Sequence, residues 1–510
     1  MKINRKKNAY RNIIYGLGFR LFQTFLPFLI RTLMIYFMGM EYVGLNSLFT
    51  SILQVLNLTE LGVGSAMVYS MYRPIATDDK TKINKLLNLY RSYYRIIGTI
   101  VLITGIVIIL ILPQLIRGEV PKEINLNIIY IITLFTTVLS YWLFSFKTSL
   151  FIAHQRNDVY TKIQFISFFI QYALQLISLC IFRNYYMYLL SALVSQLLNN
   201  ILVMIVTEKM YPGYVPKGSL DVDERKSINT RIRDLFTTKL GGVVTNSADT
   251  VVISAFLGLT ILAKYNNYYY ILAALFGFMT IIFQSCLGGI GNSLVVESSD
   301  KNYEDFNFFS SILLWIIALA TAFLLNLYQP FMKMWVGQEN MLDDPYVILL
   351  CIYFYVHEMP MIWATYKDAG GIWHEDRFRP LCVTIVNLGL NLLTVQFWGL
   401  YGVILSTIIS YLVVGMPWML LNIFKYLFHR NLIKYLLKTI YIVLISIVAC
   451  IVPYFISNLF DLSGMQEFMF RFLVVLILSN VILLIGYLPL KEFGRIRTYV
   501  ISTFSDFVKK

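Results

Sequence analysis

Apolar residues run along this chain in blocks of about twenty, separated by short polar segments rich in Lys, Arg, Asn and Asp. A block of ~20 apolar residues spans the ~30 Å hydrocarbon layer of a bilayer as a helix. Fourteen blocks have that character: 12–38, 43–70, 93–113, 126–152, 163–182, 185–207, 236–257, 265–292, 306–328, 346–366, 380–398, 400–424, 439–458 and 472–488. The expected fold class is therefore all-α, a polytopic membrane protein of about fourteen transmembrane helices.

Composition agrees with the pattern. Of 510 residues, 58% are hydrophobic and only 14% charged, and the mean hydropathy is +0.67, too apolar for a water-soluble globule. The first block follows Lys2, Arg5, Lys6, Lys7 and Arg11, but it is too long for a signal-peptide core and contains Arg20 and Arg31, so it reads as a retained helix. With the N-terminus inside, 33 of the 42 Lys and Arg fall in the inner segments and the span ends beside them. Basic loops resist translocation, so both termini are expected in the cytoplasm. The net charge of +14 is distributed in this topological way rather than clustered, and no nucleic-acid partner is expected. Cys180, Cys286, Cys351, Cys382 and Cys450 all lie inside blocks without a CxxC pair, which suggests neither a disulfide framework nor a zinc site. External loops are short, and no GxxxxGK[ST] motif occurs. A transporter without a soluble catalytic domain, without ATP hydrolysis and without a cofactor is expected, not an enzyme.

Two halves echo each other. AHQRNDVYTK (153–162) enters a block in which Gln171 and Gln175 lie four apart, and AGGIWHEDRFRP (369–380) enters one in which Asn387 and Asn391 do the same. LGVGSAMV (61–68) is matched by LGGIGNSLV (287–295). The expected organisation is an N-terminal six-helix lobe (1–207), a cytoplasmic linker (208–235), a C-terminal six-helix lobe (236–424) and two additional helices with a cytoplasmic tail (425–510). Such a repeat suits an alternating-access carrier.

Ionisable and amide side chains in the hydrocarbon layer are costly, and they normally face a cavity or a partner. Arg20 and Arg31 are 11 residues apart, so at 100° per residue they share a helix face to within roughly 20°, together with Gln23, Thr24 and Pro27. Asn46, Thr50, Gln54, Asn57 and Glu60 form a second stripe. Guanidinium forks suit phosphate oxygens, so either Arg20 and Arg31 attract a pyrophosphate group or they snorkel to the interface. Lys147 and Lys264 face the same two alternatives. Asp249, with Thr245 and Asn246, and the pair His357 and Glu358 before Pro360 lie near mid-depth. With Glu60 they are candidates for coupling to H+ or Na+, or for static ion pairs. Gln164, Gln171, Gln175, Asn387 and Asn391 are either sugar ligands or interhelical hydrogen-bonding groups. Aromatics near block ends, such as Tyr36, Tyr42, Trp142, Trp335 and Trp418, read mainly as an interfacial belt.

The stretches YVGLNSLFTSILQVLNLTELGVGSAMVYSMYRPIATDDKTKINKLL (42–87), MWVG (334–337) and DAGGIWHEDRFRPLCVTIVNLGLNLLTVQFWGLYGVILSTIIS (368–410) resemble the polysaccharide transporters of the MOP superfamily, the repeat-unit flippases of O-antigen and capsule pathways. The resemblance implies a V-shaped carrier of two six-helix lobes in the bacterial inner membrane, a monomer whose cationic central cavity takes a polyprenyl-pyrophosphate-linked oligosaccharide. It implies a polysaccharide polymerase and a chain-length regulator as partners. The family's cavity cations map by helix and side-chain type onto Arg20, Arg31 and Lys264, and the scarcity of arginines in the eighth block leaves the second lobe's share open. Rival readings are a cation-coupled multidrug exporter, a peptidoglycan-precursor flippase and, from another class, a membrane glycosyltransferase or polymerase.

Overall fold

A backbone inside hydrocarbon finds no water to satisfy its amides, so a spanning segment of this apolarity must close its hydrogen bonds within itself. The computed structural model describes residues 5–60, 62–117, 120–495 and 497–498, and among them the chain is helical, with no strand. In order, the helices are α1 (Arg5–Met38), α2 (Met40–Leu56), α3 (Val63–Ala76), α4 (Lys80–Ile111), α5 (Leu126–Trp142), α6 (Thr148–Ala153), α7 (Asn157–Ile177), α8 (Tyr185–Met210), α9 (Val222–Leu257), α10 (Leu259–Val296), α11 (Ser299–Val336), α12 (Asp344–Glu358), α13 (Met361–Ala369), α14 (Arg379–Ser410), α15 (Met416–Ile423), α16 (Leu432–Ser457) and α17 (Gly464–Tyr487). Several starts are fixed by local chemistry: the side chains of Asp79, Asn125, Asn184, Ser298 and Asn431 accept the first free backbone N–H groups of α4, α5, α8, α11 and α16.

Among the described residues ten helices are long and apolar enough to cross a membrane, or eleven when the bent pair Leu126–Trp142 and Ser145–Ala153 counts as one span. The chain is a multi-pass membrane protein. The expected number of fourteen is not reached on that measure for three visible reasons. The eleventh and twelfth expected spans lie in one stretch, Arg379–Phe428, interrupted only by the non-helical backbone of Gly399. The second is broken between α2 and α3 by a 3-10 turn, Asn57–Glu60. In the seventh, which falls in α9, the apolar stretch among the described residues is Ser247–Leu257, shorter than a full span.

Chain contacts divide the protein into two units, 1–263 and 264–510. The boundary therefore falls inside α10 and not in the 208–235 segment where the sequence suggests a linker, because α9 packs along α2 and α3. Within the first unit α1 lies along α7, α7 along α8, and α4 along α5. Gly44 permits one especially close approach: a Cβ at that position would lie 2.4 Å from the carbonyl oxygen of Leu259. Within the second unit α16 and α17, the two helices outside the sequence repeat, pack against α11 through Phe308, Leu314, Ala318, Ile442, Ala449, Leu483 and Tyr487. Tyr487 donates to the Ser311 carbonyl at 3.1 Å and Ser479 to that of Ala449 at 2.8 Å, which satisfies both hydroxyls away from water.

The Gly44 contact sets a stability test. A methyl group there meets backbone that cannot rotate away, so Gly44→Ala is expected to destabilise the protein by about 1–3 kcal/mol, read as a lower melting temperature in detergent. Gly289→Ala, where a Cβ meets nothing within 4 Å, should melt no lower than the wild type. Equal melting of the two variants would mean that α2 and the start of α10 are not tightly packed.

Candidate functional site

The break in the second expected span produces the most distinctive site. Gly62 adopts a left-handed conformation (φ 89°), one that side-chain-bearing residues rarely adopt, and the preceding 3-10 turn unwinds the helix at Asn57–Glu60. Glu60 is thereby presented sideways. Its Oε1 accepts the Tyr94 hydroxyl at 2.5 Å and its Oε2 the Tyr141 hydroxyl at 3.0 Å. Tyr141 is also 2.9 Å from Asn57 Oδ1, and Tyr90 donates to the Tyr94 oxygen at 2.8 Å. A carboxylate at a helix break is thus held by a chain of phenols from α4 and α5.

Glu60 and these tyrosines line a cavity of about 770 Å³ inside the first unit, within the range of roughly 300–1,000 Å³ usual for small-molecule sites. Its other walls are Tyr69 and Tyr72 from α3, Ser140, Ser145, Thr148 and Ser149 around the α5 to α6 bend, Tyr160, Gln164, Ser167, Phe168 and Gln171 from α7, and Ser195, Gln196 and Asn199 from α8. Hydroxyls, amides and aromatic faces alternate around it. Among the described residues that line it, Glu60 is the one with a charged side chain.

Of the sequence-derived candidates, the structure brings Glu60 and Gln171 to this cavity, with Asn57 in the network behind Glu60 and Gln164 beside Gln171. Gln175 is buried on α7. Asn46 and Gln54 stay on α2, Asn46 giving its carbonyl to Thr50 and Gln54 receiving a long 3.4 Å contact from Ser247. The side chain of Arg20 lies outside the described residues, as do those of Thr245 and Asn246. Gln23 and Arg31 are half-buried on α1, and Arg31 lies within electrostatic range of Tyr188 on α8. Lys147 is buried and paired with Glu208 at 2.6 Å, so its charge is balanced locally. Asp249 is buried on α9.

In the second unit Lys264 donates to the Glu339 carbonyl at 2.6 Å. Asn387 and Asn391 are fully buried. Asn387 donates to Thr407 Oγ1 at 2.9 Å and contacts Asn391 at 3.4 Å, a polar seam that joins the two halves of α14 across Gly399. His357 and Glu358 form a contact of 3.0 Å at the end of α12, just before Pro360 starts the next helix. Glu358 is 1% exposed, and its Oε2 has no hydrogen-bond partner among the described residues. The His357 ring packs against Phe276, Tyr353 and Tyr411. Tyr411 opens a π-helical turn, Tyr411–Gly415, an irregularity often found at functional sites.

The two loop segments that echo each other in sequence both carry internal ion pairs. Arg156 chelates Asp158 in the first, and Lys367 and Arg379 hold Asp376 in the second. His154 stacks on Tyr211 at 4.4 Å, and burial pushes its pKa below the ordinary histidine value. Sequence reasoning missed the cavity tyrosines Tyr69, Tyr72, Tyr90, Tyr94, Tyr141 and Tyr160. The spacing of Tyr69 and Tyr72, and of Tyr90 and Tyr94, puts each pair on one helix face, and that was the available signal. Among the described residues no group of three His, Cys, Asp or Glu side chains is placed to hold a metal ion.

If the Glu60 cage holds the broken helix in place, Glu60→Leu leaves two phenols without their acceptor and should cost about 1.5–3 kcal/mol. Glu60→Gln should cost less. Thermal unfolding in detergent measures both, and wild-type melting of the leucine variant would remove the cage from the architecture.

Three comparisons bear on this geometry. Residues 9–288 match the family model described as polysaccharide biosynthesis protein. No curated protein sequence matches the chain. Among solved structures, the lipid II flippase MurJ in an inward closed conformation superposes with a TM-score of 0.67 at 14% identity, covering 93% of this chain and 99% of that one. An inward-facing multidrug resistance MATE family transporter of the MOP superfamily gives a TM-score of 0.67 at 14% identity, covering 79% and 94%, and a MATE structure in a bent conformation gives 0.55 at 13%, covering 83% and 96%. The family match spans more than half of the chain, and the structural likenesses agree on one architecture. The chain belongs to the polysaccharide biosynthesis protein family and has the fold of the MOP-superfamily transporters.

Proposed function

We propose that this chain is a flippase that carries polyprenyl-pyrophosphate-linked oligosaccharide repeat units across the bacterial cytoplasmic membrane by alternating access, for assembly of a surface polysaccharide. The observation that supports it most is the first-unit cavity, in which phenols, serines, threonines, glutamines and asparagines converge. Sugar rings are recognised by hydroxyl and amide hydrogen bonds and by stacking on aromatic faces, and this wall supplies both. The polyprenyl tail would stay in lipid while the head group enters. Both termini face the cytoplasm in this reading, and a polymerase and chain-length regulator consume the product on the other side.

Coupling to H+ or Na+ belongs to the same proposal. Glu358, buried beside His357 with one oxygen unpartnered among the described residues, is its strongest candidate. Glu358→Gln is expected to flatten the dependence of transport on pH or on Na+. An unchanged profile with activity intact would assign the pair a structural role.

A second reading draws on Glu60 itself. One carboxylate among Tyr69, Tyr72 and Phe168 is also chemistry that holds an organic cation, as a multidrug exporter requires. A peptidoglycan-precursor flippase differs from the main proposal in substrate alone. Deleting the gene in its host and labelling spheroplasts with a membrane-impermeant sugar reagent separates these readings. Lipid-linked repeat units trapped on the cytoplasmic leaflet, with surface polysaccharide lost, are expected. Normal surface polysaccharide with new drug sensitivity would replace the flippase by the exporter, and trapped peptidoglycan precursor would change the substrate.

A further inference from the structure

The cavity poses an electrostatic problem for the substrate proposed above. Among the described residues its one charged lining side chain is an anion, Glu60, so a pyrophosphate placed beside it would be repelled, and the sugar alone suits the interior. A substrate with a charged linker therefore needs its cations elsewhere, at a distance from Glu60 but within reach of a sugar held in the cavity.

Such cations stand at the rim. The guanidinium of Arg231, on the polar first half of α9, lies over the ring of Tyr69 with its central carbon 4.7 Å from the ring centre. Tyr69 and its neighbour Tyr72 line the cavity and are 60% and 46% exposed. This part of α9 is fixed, since Tyr93 on α4 donates to Asn229 at 2.5 Å and Lys82 pairs with Glu224. Arg73 follows Tyr69 by four residues on α3, hence one turn further along the same face, and is exposed. Among the described residues neither Arg231 nor Arg73 has a carboxylate within ion-pair distance. Stacking a guanidinium on a tyrosine face orients it and leaves its N–H edges free for bidentate contact with phosphate oxygens.

We infer that Arg231, assisted by Arg73, is the site that takes the pyrophosphate linker of the substrate while the adjoining sugar enters the cavity past Tyr69 and Tyr72. The assignment rests on the flippase reading and adds to it a residue and a division of labour: hydroxyls and rings inside for the saccharide, guanidiniums at the mouth for the phosphates. It also provides a basis for choosing a lipid-linked saccharide over a free neutral one, because a free sugar makes no use of the rim.

The test uses the full chain purified in a neutral detergent, with polyprenyl pyrophosphate, inorganic pyrophosphate and phosphatidylglycerol as probes in calorimetric titrations. Arg231→Ala is expected to weaken polyprenyl pyrophosphate binding by about tenfold or more, and Arg231→Lys by less, because the charge survives and the fork is lost. Arg225→Ala, which removes an exposed cation elsewhere on α9, should bind as the wild type does. Inorganic pyrophosphate should follow the same order of variants at weaker affinity. Wild-type affinity in the alanine variant, with unchanged melting, would overturn the inference while leaving the flippase reading intact if that variant still restores surface polysaccharide to the deletion strain. Phosphatidylglycerol binding as tightly as polyprenyl pyrophosphate would overturn it in another way, by making the rim a general anionic-lipid surface. Failure of the wild type to bind any polyprenyl pyrophosphate would remove the flippase reading and this site together.

Discussion

Hydrocarbon offers a peptide group nothing to bond with, and the whole architecture follows from how this chain meets that constraint. Where the sequence is apolar the solution is an unbroken helix. Where a helix is broken, polar groups are released at a depth at which each needs a partner from the protein. The breaks are accordingly the places where the chemistry gathers. Glu60 sits at the 3-10 turn between α2 and α3, His357 and Glu358 at the junction of α12 and α13, and the Asn387, Thr407 and Asn391 seam beside the Gly399 kink. The partners differ in kind. Two phenols hold Glu60, whereas among the described residues Glu358 has a single histidine contact. The first arrangement is a satisfied carboxylate that shapes a cavity wall; the second is a carboxylate with one oxygen unpartnered among the described residues.

Much of the fold was legible because periodicity and length leave few alternatives for apolar blocks of this size. The starts of α5 and α8 coincide with the limits of the apolar blocks, and asparagine caps hold them there. The breaks were harder to see. Gly62 and Pro360 signal irregularity, but neither residue says whether a span ends or merely bends. The outcome depends on packing: a 3-10 turn separates α2 from α3, whereas α12 and α13 together remain one candidate span, Asp344–Ala369. The contact-based boundary falls inside α10 rather than in the polar 208–235 segment. Residues 222–235 are polar and read as a linker, yet their polar side chains are what bind them to α3 and α4, through Asn229, Glu224 and Arg231.

The candidate site was half legible. A polar stripe on the second block pointed to Asn57 and Glu60, and the amides of the fifth block pointed to Gln164 and Gln171, all of which meet at or behind one cavity. The tyrosines that complete it were hidden by a correct generalisation, that aromatics at span ends usually form an interfacial belt. The packing of α3 against α4 brings Tyr69 and Tyr90 to the cavity wall. Lys147 is neutralised by Glu208, and Asn387 serves the joint within α14, so polarity inside a membrane span marked structural joints as readily as ligand positions.

Under the proposed function, one unit would have to handle a substrate that is part sugar, part anion and part hydrocarbon. A single cavity able to hold all three would need opposite properties at one point, since a cation strong enough to bind pyrophosphate would pair with Glu60 and close the space. Separating the functions avoids the conflict. The carboxylate is shielded by Tyr94 and Tyr141 within the wall, the neutral hydroxyls and amides occupy the interior, and the guanidiniums of Arg231 and Arg73 remain at the mouth, where water screens their repulsion from each other. Tyr69 connects the two regions, with its ring in the cavity wall and Arg231 stacked upon it. The order of these groups along the path, cation before aromatic before hydroxyl, matches the order of phosphate and sugar in a lipid-linked saccharide that enters sugar first with its lipid end still in the bilayer.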